Sequence, residues 1–275
     1  MNRLGIELLS VFGMNPVEQV ALAADLGCCH ISSGLTQFQV NPHGYTPWSL
    51  KDDPALRREM VAAMRDRGVS LSLGEGFAVR PGIDIRDRAR ELDIMAELGA
   101  RCLGGVGMES DPARLIDQFA ALVEMAEARS LKVTIEFAPV LPVSNLDQAV
   151  ALVAAVDRPD FRVLVDAMHF FRSGSDVAAL AALDPNLIGY AQLCDVPLVA
   201  VEPDYMREAT FERRAPGVGE LPLAAFVAAL PDTIVISLEV PMLAAAEAGV
   251  SPIDRLRPAV EAARRLIDTK GETPC

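Results

Sequence analysis

The sequence predicts a closed parallel (β/α)8 barrel, a TIM barrel, and three observations carry that prediction. Short β-branched apolar runs and amphipathic stretches alternate eight times along the 275 residues. Such alternation implies parallel strands, because each strand must return through a helix before the next can pair with it. The first strand-to-helix turn has no GxGxxG, the phosphate-binding mark of an open doubly wound sheet, and eight repeats favour closure. With 51% hydrophobic residues the chain can bury a large core. One barrel domain of roughly 250 residues then accounts for nearly all of it. The barrel is expected over about 4–268, with a short tail at 269–275.

The first strand is read at 4–10 (LGIELLS), and the first helix opens at Pro16 behind Asn15, a good N-cap followed by a proline that needs no N–H partner. The second strand is 28–33 (CCHISS), followed by a helix near 53–67. The third is 69–75 (VSLSLGE), with a helix near 86–98. The fourth is 100–107 (ARCLGGVG), and its helix, 111–129, starts with the capped pair Asp111-Pro112. Four further strands follow: 131–137 (LKVTIEF), 161–166 (FRVLVD), 187–193 (LIGYAQL) and 232–239 (DTIVISLE). Helices are expected near 145–156, 174–182, 220–230 and 251–268. The two longest irregular stretches, 34–52 and 196–219, are expected to cover the barrel mouth, since long loops in compact domains usually serve function.

Glu136, Asp166, Gln192 and Glu239 sit at or near the ends of the last four strands. Barrel chemistry is found at strand C-termini, so these four oxygen donors are expected to converge on one point. A salt bridge in a loop is the ordinary explanation of a single strand-end acid, but four on consecutive strands point to a divalent metal site. Carboxylate and amide oxygens suit Mn²⁺ or Mg²⁺, with Zn²⁺ the less favoured ion, and open positions would take two oxygens of a hydroxy-carbonyl substrate. Such an ion would stabilise an enediolate, with Glu136 and Glu239 moving the proton.

The formal net charge of −13 disfavours nucleic acid and anionic membrane surfaces, so a small-molecule partner is expected. No membrane span and no signal-peptide pattern are read, and a cytoplasmic location is expected. The cysteines at 28, 29, 102, 194 and 275 lack CxxC spacing and are read as reduced thiols. Ala-rich helices such as 223–230 (LAAFVAAL) suit either core or subunit packing, and a homodimer or homotetramer is compatible with them.

Five segments resemble, in order, the sugar phosphate isomerase/epimerase superfamily, the xylose isomerase-like TIM barrels: TIEF (134–137), VDAMHF (165–170), GYAQLCDVP (189–197), PGVGELPL (216–223) and SLEVP (237–241). The resemblance spans essentially the whole chain and is nearest in motif to hydroxypyruvate isomerase-like and inosose dehydratase-like members. It implies Glu136, Asp166, Gln192 and Glu239 as metal ligands, Glu136 and Glu239 as the acid/base pair, and His169 as a group lining the site. Many members carry His where this chain has Gln192, which favours a harder ion than Zn²⁺.

The alternative reading of His169 is a buried histidine bonded to backbone. Arg213 and Arg214 precede PGVGE, and a guanidinium there, with Arg214 the preferred candidate, would grip a substrate carboxylate or phosphate unless the pair is simply solvated. Glu7 and Glu75 are placed at the ends of strands one and three as substrate hydrogen-bonders, with surface or supporting roles as the alternative. Trp48, with Phe38, His43 and Tyr45, marks the 34–52 loop as either a lid over substrate or ordinary packing. Gly217 and Gly219 read as turn formers. The leading function is a metal-dependent isomerase or epimerase of a hydroxy-carbonyl compound. A lyase acting on a ring ketone such as inosose or dehydroshikimate follows closely, with His169 protonating the leaving hydroxyl. An AP endonuclease is disfavoured by three histidines and the acidic charge, and a barrel that only binds ligand is disfavoured by the intact donors.

Overall fold

The computed structural model describes residues 2–268; the tail expected at 269–275 lies outside them. Eight strands close a barrel in chain order, every pair parallel and β8 returning to β1. They are β1 (Leu4–Ile6), β2 (His30–Ser33), β3 (Ser70–Val79), β4 (Cys102–Gly107), β5 (Lys132–Glu136), β6 (Phe161–Asp166), β7 (Ile188–Leu193) and β8 (Ile236–Leu238). The helices are α1 (Pro16–Asp25), α2 (Pro54–Arg67), α3 (Ala89–Glu97), α4 (Pro112–Glu127), α5 (Leu146–Val156), α6 (Ala167–Arg172), α7 (Val177–Ala182), α8 (Tyr205–Arg207), α9 (Leu223–Ala229), α10 (Leu243–Glu247) and α11 (Pro252–Asp268).

The helix starts follow from local chemistry. Asn15 accepts from the Val17 N–H at 2.9 Å, Asp53 from Ala55 at 2.8 Å and Asp111 from Ala113 at 3.0 Å. Each cap precedes a proline at the first helical position, where no donor is wanted. Between helices and barrel the packing is tight enough to select glycine. A Cβ on Gly105 of β4 would meet Phe119 Cε1 of α4 at 2.8 Å, and Phe119 itself stacks on Phe161 of β6 with centroids 5.2 Å apart. Inside the barrel a separate small cluster, Leu73, Cys102, Leu164 and Tyr190, fills the interior, as barrels of this width require.

Three elements differ from expectation. β1 stops at Ile6 because the Leu8 N–H is taken by Ser32 Oγ at 2.8 Å, and a 3-10 turn, Leu8–Val11, follows. β3 runs four residues beyond Glu75: Gly76, at φ +99°, sits where the register with β4 shifts, so the strand bulges and continues. The stretch 196–219 is not wholly irregular, since it holds α8 and a π turn at Glu208–Glu212. Cys28, Cys102 and Cys194 are free and buried, whereas Cys29 is disulfide-bonded, against the expectation of reduced thiols. No helix among the described residues is long and apolar enough to cross a membrane.

Candidate active site

Parallel register brings the strand-end donors to one level. Asp166 pairs with Gln192 across β6 and β7, Gln192 with Ser237 across β7 and β8, and the Glu239 N–H donates to Leu193 O at 3.1 Å. Glu136, Asp166 and Glu239 each place an oxygen within 4.8 Å of the other two. Gln192 donates through Nε2 to Glu239 Oε1 at 3.4 Å, while its Oε1 is buried without a hydrogen-bond partner. A buried amide oxygen left bare beside three converging carboxylates has the character of a ligand. The donor set, all oxygen, fits a hard divalent cation.

Asp166 is held from both sides. Its Oδ1 accepts from the His169 N–H at 2.8 Å, capping α6, and its Oδ2 accepts from Arg213 Nη1 at 2.7 Å. The same Nη1 also donates to Glu239 Oε2. Arg213, 3% exposed, therefore carries the positive charge that buried carboxylates need. The expected gripping residue, Arg214, is exposed and directed away, its Nη1 reaching only Val218 O at 3.5 Å. The reason is the extended pairing of Arg214 with Asp195: neighbours on extended backbone face opposite ways, so one arginine points in and the next points out. Asp195 also anchors the turn that follows, accepting from Gly217 at 2.8 Å and Leu221 at 3.1 Å, while a Cβ on Gly219 would lie 2.3 Å from its Oδ1.

His169 faces the same cluster. Arg213 Nη2 donates to its Nε2 at 3.3 Å, which places the ring proton on Nδ1, donated to Tyr205 Oη at 2.5 Å. Nε2 lies 3.5 Å from Glu136 Oε1. Burial, joined by the neighbouring Arg213 and opposed by Asp166, pushes the imidazole down to about 4, so it is neutral at pH 7. Tyr205 gave no sequence signal beyond its place in a long loop. Burial raises the Glu136 carboxyl well above the usual range, with Glu239 and Asp166 adding to it, and raises Glu239 against the pull of Arg213.

Glu7 and Glu75 belong to a separate group. Glu7 is fully buried and accepts from the Tyr190 hydroxyl at 2.8 Å; Glu75 accepts from Ser32 Oγ. With Glu239 they form a second trio whose oxygens also lie within 4.8 Å of one another. Burial, then Glu7 and Glu239, push the Glu75 carboxyl well up. Above the first trio opens a cavity of about 330 Å³, lined by Glu136, His169, Arg213 and Glu239 on one side and by Ala78, Met108 and Leu141 among its apolar walls. Neither Glu7 nor Glu75 lines it. Trp48 does not either: it is 8% exposed, and its indole N–H donates to Gly13 O at 3.0 Å, so it packs the loop.

Comparison with known proteins gives a consistent setting. The xylose isomerase-like TIM barrel family matches residues 20–267. A 3-dehydroshikimate dehydratase of Pseudomonas aeruginosa is 30% identical over 184 residues, 62% of this chain and 29% of that protein, so the match spans less than a third of that relative's length. The crystal structure of IOLI protein with a binding zinc atom superposes with a TM-score of 0.81 at 16% identity, covering 98% of this chain and 100% of that one. A xylose isomerase-like TIM barrel/4-hydroxyphenylpyruvate dioxygenase fusion protein gives 0.78 at 22% identity, covering 97% of this chain and 43% of that one. At these identities the two structures share the fold.

Proposed function

We propose, from the premise that this chain belongs to the xylose isomerase-like TIM barrel family, that it is a divalent-metal-dependent lyase removing water from a hydroxylated ring ketone. The observation that carries the reading is the neutral His169, whose Nε2 faces Glu136 Oε1 at 3.5 Å at the wall of the cavity, with Arg213 Nη2 3.3 Å away. An elimination needs a group that takes up a proton and returns it to a leaving hydroxyl. A 1,2-isomerisation needs only the carboxylates. The 3-dehydroshikimate dehydratase relative supports the same choice.

Glu136, Asp166, Gln192 and Glu239 would hold the cation, which supplies the positive charge that polarises the ketone and steadies negative charge developing on its oxygen. Ionised Glu136 removes the proton next to the carbonyl. The C–H electron pair becomes the new C=C bond as the C–O bond to the β-hydroxyl breaks. His169 Nε2 accepts the proton from Glu136 and delivers it to the departing hydroxide, so water leaves and nothing is oxidised or reduced. Tyr205 fixes the ring by accepting from Nδ1–H. The isomerase or epimerase reading is kept as second, favoured by Glu136 and Glu239 lining one cavity.

The test is metal content of the wild type, Glu136→Gln and Glu239→Gln proteins, with products analysed from 3-dehydroshikimate and from a panel of ketoses. Bound metal reduced in both variants, together with metal-dependent formation of 3,4-dihydroxybenzoate, is expected. Epimerised or isomerised sugar without water loss would install the second reading. A wild type that takes up no divalent ion after reconstitution sinks both.

A further inference from the structure

We propose that Arg80 binds a carboxylate on the substrate. This narrows the lyase reading, on which it rests, to ring ketones that carry an acid group. Two arginines line the cavity, Arg80 and Arg213. Arg213 is spent on Asp166 and Glu239. Arg80 is exposed, and among the described residues its guanidinium has neither an ion pair nor a hydrogen bond. In a chain with 38 acidic and 25 basic side chains, an unmatched arginine beside a strongly acidic cavity is a committed positive charge without a protein partner.

The backbone aims it. The bulge at Gly76 carries β3 past the end of β2, still paired with β4 as far as Val79 and Gly107. There the Met108 N–H holds Val79 O at 2.8 Å. Arg80 then opens a turn, Arg80-Pro81-Gly82-Ile83, in which the Ile83 N–H donates to Arg80 O at 3.3 Å and Gly82 takes φ +73°. Proline second and a left-handed glycine third are the requirements of a type II turn, and the residue before proline is confined to extended backbone. The guanidinium is therefore presented from a tied mount, and its fork matches a carboxylate in two parallel hydrogen bonds.

Charge also orients the substrate. Glu136 and Glu239 line the cavity with Asp166 beside them, so a substrate carboxylate is repelled from that side and drawn to Arg80. The keto and hydroxyl oxygens then meet Glu136, His169 and the ligand cluster. Apolar Ala78, Val106, Met108 and Leu141 between the two ends suit the faces of a ring.

The experiment titrates metal-loaded enzyme calorimetrically with 3,4-dihydroxybenzoate and with catechol, which has the same vicinal diol and no acid group. The wild type is expected to favour the acid by on the order of 10- to 100-fold. Arg80→Gln should bind the two alike with catechol affinity unchanged, and Arg80→Lys should keep part of the preference, as a charge without the fork. A wild type indifferent to the acid group, or an Arg80→Gln protein that keeps the preference, overturns the assignment while leaving the lyase reading standing. If the wild type binds neither probe but converts a neutral ketose, the ring-ketone reading itself has failed and the assignment falls with it.

Discussion

Replacing Arg213 with methionine should make the stability of this barrel depend on divalent metal. Arg213 Nη1 lies 2.7 Å from Asp166 Oδ2 and also donates to Glu239, and the side chain is 3% exposed. Removing one partner of a buried ion pair leaves uncompensated charge and costs about 3–5 kcal/mol. A loss of that size lowers the unfolding midpoint by about 5–9 °C in a protein of this length. A cation drawn to the same carboxylates supplies the missing charge, and at a hundred times its Kd adds about 2.7 kcal/mol. In the wild type the cation must compete with Arg213 for those oxygens, so its stabilising effect is smaller. Thermal unfolding of both proteins in chelator and in graded Mn²⁺, Mg²⁺ and Zn²⁺ measures this. The variant is expected to melt well below wild type in chelator and to recover most of the gap with metal. Equal midpoints in chelator, or equal metal-induced shifts in the two proteins, would show that Arg213 is not the charge compensator and that the donors do not form one site.

Replacing His169 with glutamine is expected to leave metal content and deuterium exchange next to the ketone largely intact while slowing water loss by about 10²-fold or more; NMR of exchange alongside product absorbance separates the two steps. His30, hydrogen-bonded to Ser70 Oγ at 2.8 Å, is pushed down to about 4 by burial and by Arg101. Its folded value lies below the ordinary 6.5, so its contribution to stability is complete above pH 6.5 and is lost as pH falls toward 4. The loss reaches about 2 kcal/mol by pH 5. His30→Asn should flatten denaturant stability against pH in that window, and an unchanged slope refutes it. Gly105→Ala forces a methyl against Phe119 at 2.8 Å and is expected to cost about 1–3 kcal/mol in urea unfolding.

What the sequence made legible is what period and strand ends determine. Parallel strands in register present their last residues at one level, so Glu136, Asp166, Gln192 and Glu239 could be placed together from their positions in four apolar runs alone. The strand limits were less legible because side-chain capping decided them: Ser32 Oγ ends β1, and a single glycine at 76 extends β3. Arg213 and Arg214 were indistinguishable as a dipeptide. Only the bridge to Asp195, made across a long loop, sets which of two alternating side chains enters the barrel. Tyr205 could not be read at all, since its partner His169 is 36 residues away and no local pattern links them. Trp48 is open in sequence between a lid and ordinary packing, since an aromatic in a mouth loop reads as either; its N–H is satisfied by Gly13 O and the ring is buried.

The two carboxylate trios, joined through Glu239, bear on why this site should take a cation at all. The two trios bring together five acids, Glu7, Glu75, Glu136, Asp166 and Glu239, and one guanidinium, that of Arg213, bonds to two of them, Asp166 and Glu239. Buried carboxylates at such separations cannot all stay ionised, so the cluster must hold protons, a metal, or both. At the second trio burial and the neighbouring Glu7 and Glu239 push the Glu75 carboxyl well up, against the hydrogen bond that Ser32 Oγ donates to it. The first trio has instead the bare Gln192 Oε1 and the buried Arg213 guanidinium. On the proposed reading, a divalent ion at the first trio would offset the burial and like charge that raise Glu136, and so leave it able to act as a base at neutral pH.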